Sequence, residues 1–211
     1  MSSKLEQLRA DLARHFADQA RPAADAIAFD APGDPSYEGS RAARIFARLP
    51  TWQAFAPGLL RVPQGYLDTD LLGFLQPGGF AYFLPGLLWH ALDLDGPDHN
   101  AVLADAVVFG LTPPDHWLLG ALDDPDLRAG LERQGVPATR ESLVDDPIRA
   151  QFAAKIAGFS PAQRGSVARA LDFLADEYAR RGHDNAPRRA LDALWGRYLG
   201  AAPTPADGRQ A

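Results

Sequence analysis

The sequence predicts a mainly α-helical protein: a single compact multi-helix domain in which several of the helices are short. Three observations carry that expectation. Between frequent Pro and Gly breaks, apolar residues recur at helical spacing and do not alternate with period two. Asp124, Asp146 and Ser160 each stand directly before a proline, the pairing of a capping residue with the first helical position. A length of 211 residues with 46% hydrophobic and 23% charged side chains suits one ordinary globular core.

Taken in order, the first helix rests on the stripe Leu5, Leu8, Leu12 and Phe16, with Ser3 and Glu6 as a capping box and Pro22 beyond its end. After the turn-rich "DAPGDPSYEG", the segment "SRAARIFARL" predicts a second, shorter helix through Ile45, Phe46 and Leu49. The pieces "TWQAF" and "LDTDLLGFL" suffice for one or two turns each and are expected to wrap the core. A helix then opens at Pro77, although Gly78 and Gly79 are poor helix formers, so this start must depend on tertiary packing. Pro85 removes a backbone hydrogen bond and would kink or break the run, which can continue helically through "GLLWHAL". Phe80, Phe83, Leu84, Leu87 and Leu88 are expected in the core. Asn100 can cap "AVLADAVVFGL", which reads as a helix, with a strand as the lesser alternative.

Helix starts are expected near residues 125, 147 and 161. The last of these carries Val167, Leu171, Leu174 and Tyr178 on one face and Gly182 just past its end. A final helix is predicted from Pro187 to Leu199, presenting Leu191, Leu194, Trp195 and Tyr198. Residues 1–200 read as one domain, and 201–211 as a disordered tail with nothing to bury.

Charge is unevenly placed. Residues 1–48 carry seven basic and seven acidic side chains, and residues 128–211 carry thirteen and ten. Residues 49–127 carry Arg61 alone against ten aspartates, a net −9, together with ten of the twenty aromatic residues. Exposed parts of that segment should project a negative field that repels nucleic acid and attracts a basic partner. The longest apolar stretch, Phe80 to Leu92, is about thirteen residues where a membrane span needs roughly twenty. Charges of both signs interrupt the N-terminal segment where a secretory signal needs an apolar run, so a cytoplasmic setting is expected.

Candidate chemistry concentrates in "DLDGPDHN", where Asp93, Asp95, Asp98 and His99 could ligate Mg²⁺ or Ca²⁺. Its glycine and missing bidentate Glu do not fit an EF-hand, and a solvated turn uses the same residues. The absence of cysteine rules out thiolate chemistry and cysteine-type zinc sites. None of the five histidines forms a ligand pair at helical spacing, and His90 reads as a satisfied core histidine. "GFSPA" approaches the nucleophile-elbow pattern, but Pro161 after Ser160 makes Ser160 with Gln163 a capping box. No phosphate loop or dinucleotide fingerprint occurs, and no cofactor is implied.

In combination, "LGFLQPGGFAYFLPGLL" at 72–88, "FGLTPPD" at 109–115 and "GFSPAQRGSVARALDFLADE" at 158–177 resemble an uncharacterised family of small bacterial helical proteins, a domain of unknown function. The resemblance covers most of residues 38–178. It implies a helical fold in a bacterial cytoplasm and transfers no catalytic residue; the family usually has a better helix former where Gly78 and Gly79 stand.

The function expected from these features is non-enzymatic protein binding: an immunity- or antitoxin-like module neutralising a basic protein partner through an acidic face. Asp93, Asp95, Asp98, His99 and Asp115 are its candidate contact residues. Two alternatives stay open, a metal-dependent hydrolase using Asp93, Asp95, Asp98 and His99, and a structural or regulatory homodimer.

Overall fold

A computed structural model describes residues 2–30, 37–96, 100–116, 125–135, 144 and 146–200. Eight α-helices occur among them: α1 (Ser2–His15), α2 (Glu38–Phe46), α3 (Pro77–Ala91), α4 (Asn100–Leu111), α5 (Pro125–Arg133), α6 (Asp146–Ala157), α7 (Pro161–Arg181) and α8 (Ala186–Ala193). Short 3₁₀ turns at Trp52–Ala54, Pro57–Leu60 and Thr69–Phe74 carry the chain from α2 to α3. Strand-like pairing among the described residues is confined to isolated bridges, Ala28 with Leu75 and Arg61 with Leu67. The expected tail at 201–211 lies outside the described residues. None of the described helices is long and apolar enough to cross a membrane.

The centre of the molecule is α3. Phe80, Phe83, Leu84, Leu87 and Leu88 are all buried, as their apolar run requires. Pro85 lies inside the helix without ending it. The two glycines at its start serve different ends. At Gly78 an added Cβ would meet nothing closer than 3.8 Å, whereas at Gly79 it would fall 1.9 Å from the Ile27 carbonyl oxygen. Gly79 therefore lets the 24–28 segment lie against the helix. Gln76 fastens that contact: its Nε2 donates to the Asp25 and Ala28 carbonyls at 2.9 and 3.0 Å, and its backbone N–H donates to Ile27 at 3.0 Å. Gly86 does the same further along, where a Cβ would stand 2.4 Å from the Trp52 carbonyl oxygen.

Around α3 pack α4, α6, the Trp52–Ala54 turn and part of α1, while α7 covers α1 and α8. Ser160 and Gln163 form the reciprocal capping box at the start of α7, at 3.2 and 2.8 Å, and Gly182 ends that helix in the left-handed region at φ 70°. Three boundaries differ from expectation. At the N-terminus α1 begins at Ser2, which places Ser3 inside its first turn. Asn100 occupies the first helical position of α4, and its side chain folds over Gly96. The final helix is two pieces, α8 and a 3₁₀ turn at Trp195–Tyr198, separated at Leu194 with φ −147° and ψ −52°. That break turns Trp195 into the core, where it is fully buried and its Nε1 donates to the Leu111 carbonyl at 2.8 Å. Leu111 is the last residue of α4, so the indole supplies a donor to a carbonyl that the helix itself leaves open.

Candidate functional site

The negative central segment is folded against arginines from both flanks. Arg41 pairs with Asp68, and Arg9 lies 3.7 Å from Asp93. Arg181 donates to both oxygens of Asp95 at 2.9 and 2.8 Å, and Arg149 Nε donates to Asp115 at 2.7 Å. The Arg181 bond holds the Asp95 carboxyl below its ordinary pKa. Of the expected contact residues, Asp93, Asp95 and Asp115 thus each face a cation of the same chain. Asp98 and His99 lie outside the described residues. Among the described residues no group of three or more His, Asp or Glu side chains is placed to hold a metal ion. His90, half-buried, places Nε2 3.1 Å from the Phe55 carbonyl, which makes that nitrogen the N–H donor.

A serine and a histidine do meet elsewhere, unseen by motif reading because 151 positions separate them. His15 Nδ1 lies 2.6 Å from Ser166 Oγ, beside the buried Asp11. Polarity argues against a nucleophile. Arg14 Nε donates to His15 Nε2 at 3.3 Å, so the ring proton is on Nδ1 and points at the serine oxygen, which also accepts from Arg169 at 3.3 Å. A serine nucleophile needs the reverse, a histidine that takes its proton. Asp11 accepts from Gln7, Arg14 and Arg169, and the cluster ties α1 to α7. Ser166 itself is only 2% exposed.

Among the described residues the outer face of α4 is one exposed surface that carries large apolar side chains. Its inward positions Leu103, Ala104, Val107, Val108 and Leu111 are fully buried. Its outward positions Val102, Asp105, Ala106 and Phe109 follow the i, i+3, i+4, i+7 rule of one helix stripe. Val102 is 45% exposed and Phe109 55%, two large, partly exposed apolar side chains on the same side of the helix. Between them Asp105 accepts a 2.6 Å hydrogen bond from the Tyr178 hydroxyl at one oxygen. Its second oxygen has no partner among the described residues.

A groove runs along each flank of this ridge. One, of about 470 Å³, lies between α4 and the junction of α7 with α8, and its wall is mixed, with Leu94, Phe109 and Ala186 beside Tyr178, His183 and Asp184. The other, of about 620 Å³, lies between α4, the 69–74 turn and α6. Leu72, Phe80, Val102, Ala106 and Phe109 make it largely apolar, with Asp70, Gln151 and Lys155 as polar members. Charge counting favoured the 93–98 loop because it reports where acids cluster and is silent on which arginines return to them. The α4 stripe was legible in principle, since Val102 and Phe109 sit seven apart, but apart from Asp105 the segment is apolar and offers little periodic contrast.

Comparison with family models, with curated proteins and with solved structures returns no match.

Proposed function

We propose that this is a protein-binding module that engages its partner through the outer face of α4. The carrying observation is the ridge itself: Val102 and Phe109, 45% and 55% exposed, bracket Asp105 between two grooves. An exposed apolar pair with a polar rim has the composition of an interface centre. The partner chemistry follows from charge. Asp105 has one carboxylate oxygen open, and Asp70 lies exposed on the wall of the apolar groove, so a complementary segment presents an apolar side chain beside Lys or Arg. A basic partner is therefore retained from the charge argument, while the contact surface moves from the 93–98 loop to α4. An immunity- or antitoxin-like role is the biological form of this reading, which the net charge of −6 supports.

Selection of a displayed random-peptide library on the wild-type chain tests it, with Phe109→Glu and Asp105→Asn chains as counter-targets. The expected result is enrichment of sequences with an aromatic or aliphatic residue next to Lys or Arg that lose binding to both variants. Peptides that bind all three chains alike would overturn the assignment. So would a wild-type dimer in light scattering that Phe109→Glu dissociates, because the occupant would then be a second copy.

A further inference from the structure

Lys155 is chemically singular in this chain. Of twenty-one Lys and Arg residues only Lys4 and Lys155 are lysines. Lys4 sits on the surface, 3.6 Å from Asp176. Lys155 instead projects from α6 into the 620 Å³ groove, where its Nζ lies 4.8 Å from the centre of the buried Phe80 ring. Among the described residues it has neither a hydrogen bond nor an ion pair. Burial holds its ammonium below the ordinary lysine pKa, with no carboxylate acting in the other direction. An ammonium drawn into apolar surroundings is disfavoured unless a counter-charge accompanies it, and the ring face meets only part of that need.

We propose that the groove beside Lys155 binds an apolar monocarboxylate, with the carboxylate on the Lys155 ammonium and the hydrocarbon body along Leu72, Phe80, Ala106 and Phe109. The volume falls within the roughly 300–1,000 Å³ range of small-molecule pockets. Gly110 contributes to the fit: a Cβ there would come within 3.0 Å of the Phe80 ring, so the glycine allows that ring to form the groove wall under the lysine. Asp70 and Asp105 also line the groove, so Lys155 is its one cationic member among the described residues and the place where a carboxylate would be held. This site shares Phe109 with the proposed partner contact and rests on a further residue, Lys155, which that contact does not use.

The two-lysine composition permits a direct test. Reductive methylation with ¹³C-formaldehyde leaves both amines cationic and gives one resolved signal set for Lys4 and one for Lys155. Titration of the full chain with sodium octanoate is expected to shift the Lys155 signals and leave those of Lys4 in place. In calorimetry, Lys155→Met, which keeps the side-chain length and removes the charge, is expected to weaken octanoate about tenfold or more. Lys155→Arg is expected to retain it, and 1-octanol is expected to bind wild type and Lys155→Met alike. Octanoate that leaves the Lys155 signals unmoved, or that binds Lys155→Met as tightly as wild type, overturns the proposal. Both readouts turn on Lys155, which the peptide selection does not vary, so failure of one proposal is distinguishable from failure of the other.

Discussion

Tyr178 on α7 donates a 2.6 Å hydrogen bond to Asp105 on the open face of α4, joining the longest described helix to the proposed contact ridge. Burial first, and the Asp105 bond second, hold the Tyr178 phenol far above its ordinary pKa of 10.0. Because the folded pKa is raised, the folded chain keeps a proton that the unfolded chain releases as pH climbs past 10.0. The stabilisation is complete below that pH and is lost above it. Urea midpoints measured from pH 8 upward, about two pH units either side of the tyrosine value, should fall more steeply for wild type than for Tyr178→Phe. At neutral pH the same variant should cost about 1.5 kcal/mol, the loss of a bond to a charged acceptor.

His15 works in the opposite direction. Burial lowers its pKa most, Arg14 and Arg169 add to the lowering, and Asp11 opposes it. The folded chain therefore favours the neutral ring, while the unfolded chain takes a proton as pH falls through 6.5. Stability from this group is full above 6.5 and declines below it towards the lowered folded value. His15→Gln removes that titration, and its unfolding free energy should lack part of the acid-side decline that wild type shows as pH falls below 6.5.

The adjacent glycines of α3 should respond with opposite signs. Gly78→Ala meets its nearest neighbour at 3.8 Å and improves helix propensity, so a gain of about 0.5 kcal/mol is expected. Gly79→Ala would drive a methyl to 1.9 Å from the Ile27 carbonyl oxygen, and backbone on both sides leaves little room to yield. A loss of about 3 kcal/mol or more is expected. Denaturant unfolding of the two single variants separates them; equal effects would contradict the close approach.

These glycines also show why parts of the fold were legible in the sequence and others were not. Helix starts at Pro125, Pro147 and Pro161 carry local capping chemistry, and the structure places helices within a residue of each. Gly79 looked like a weak helix former because propensity is local, while its use is a contact with a segment some fifty positions earlier. The break at Leu194 had the same origin: nothing in "LDALWGRYL" foretells that Trp195 must reach the Leu111 carbonyl. The partners of the acidic residues were hidden in the same way. Asp93, Asp95 and Asp115 were prominent as charges, but Arg9, Arg181 and Arg149 reach them from 84, 86 and 34 positions away. Lys155 was inconspicuous because one lysine among many arginines carries no pattern.

Exposed pairs such as Asp95 with Arg181 contribute little to stability, which makes their neutralisation a clean control for binding. The most direct measurement is calorimetric titration of one selected peptide into three chains: wild type, Phe109→Glu, and Asp93/Asp95/Asp115→Asn. If the α4 ridge is the contact surface, Phe109→Glu weakens the peptide about tenfold or more, and the triple-Asn chain stays within about threefold of wild type. Full affinity in Phe109→Glu together with loss in the triple-Asn chain would contradict the account and return the interface to the acidic loop.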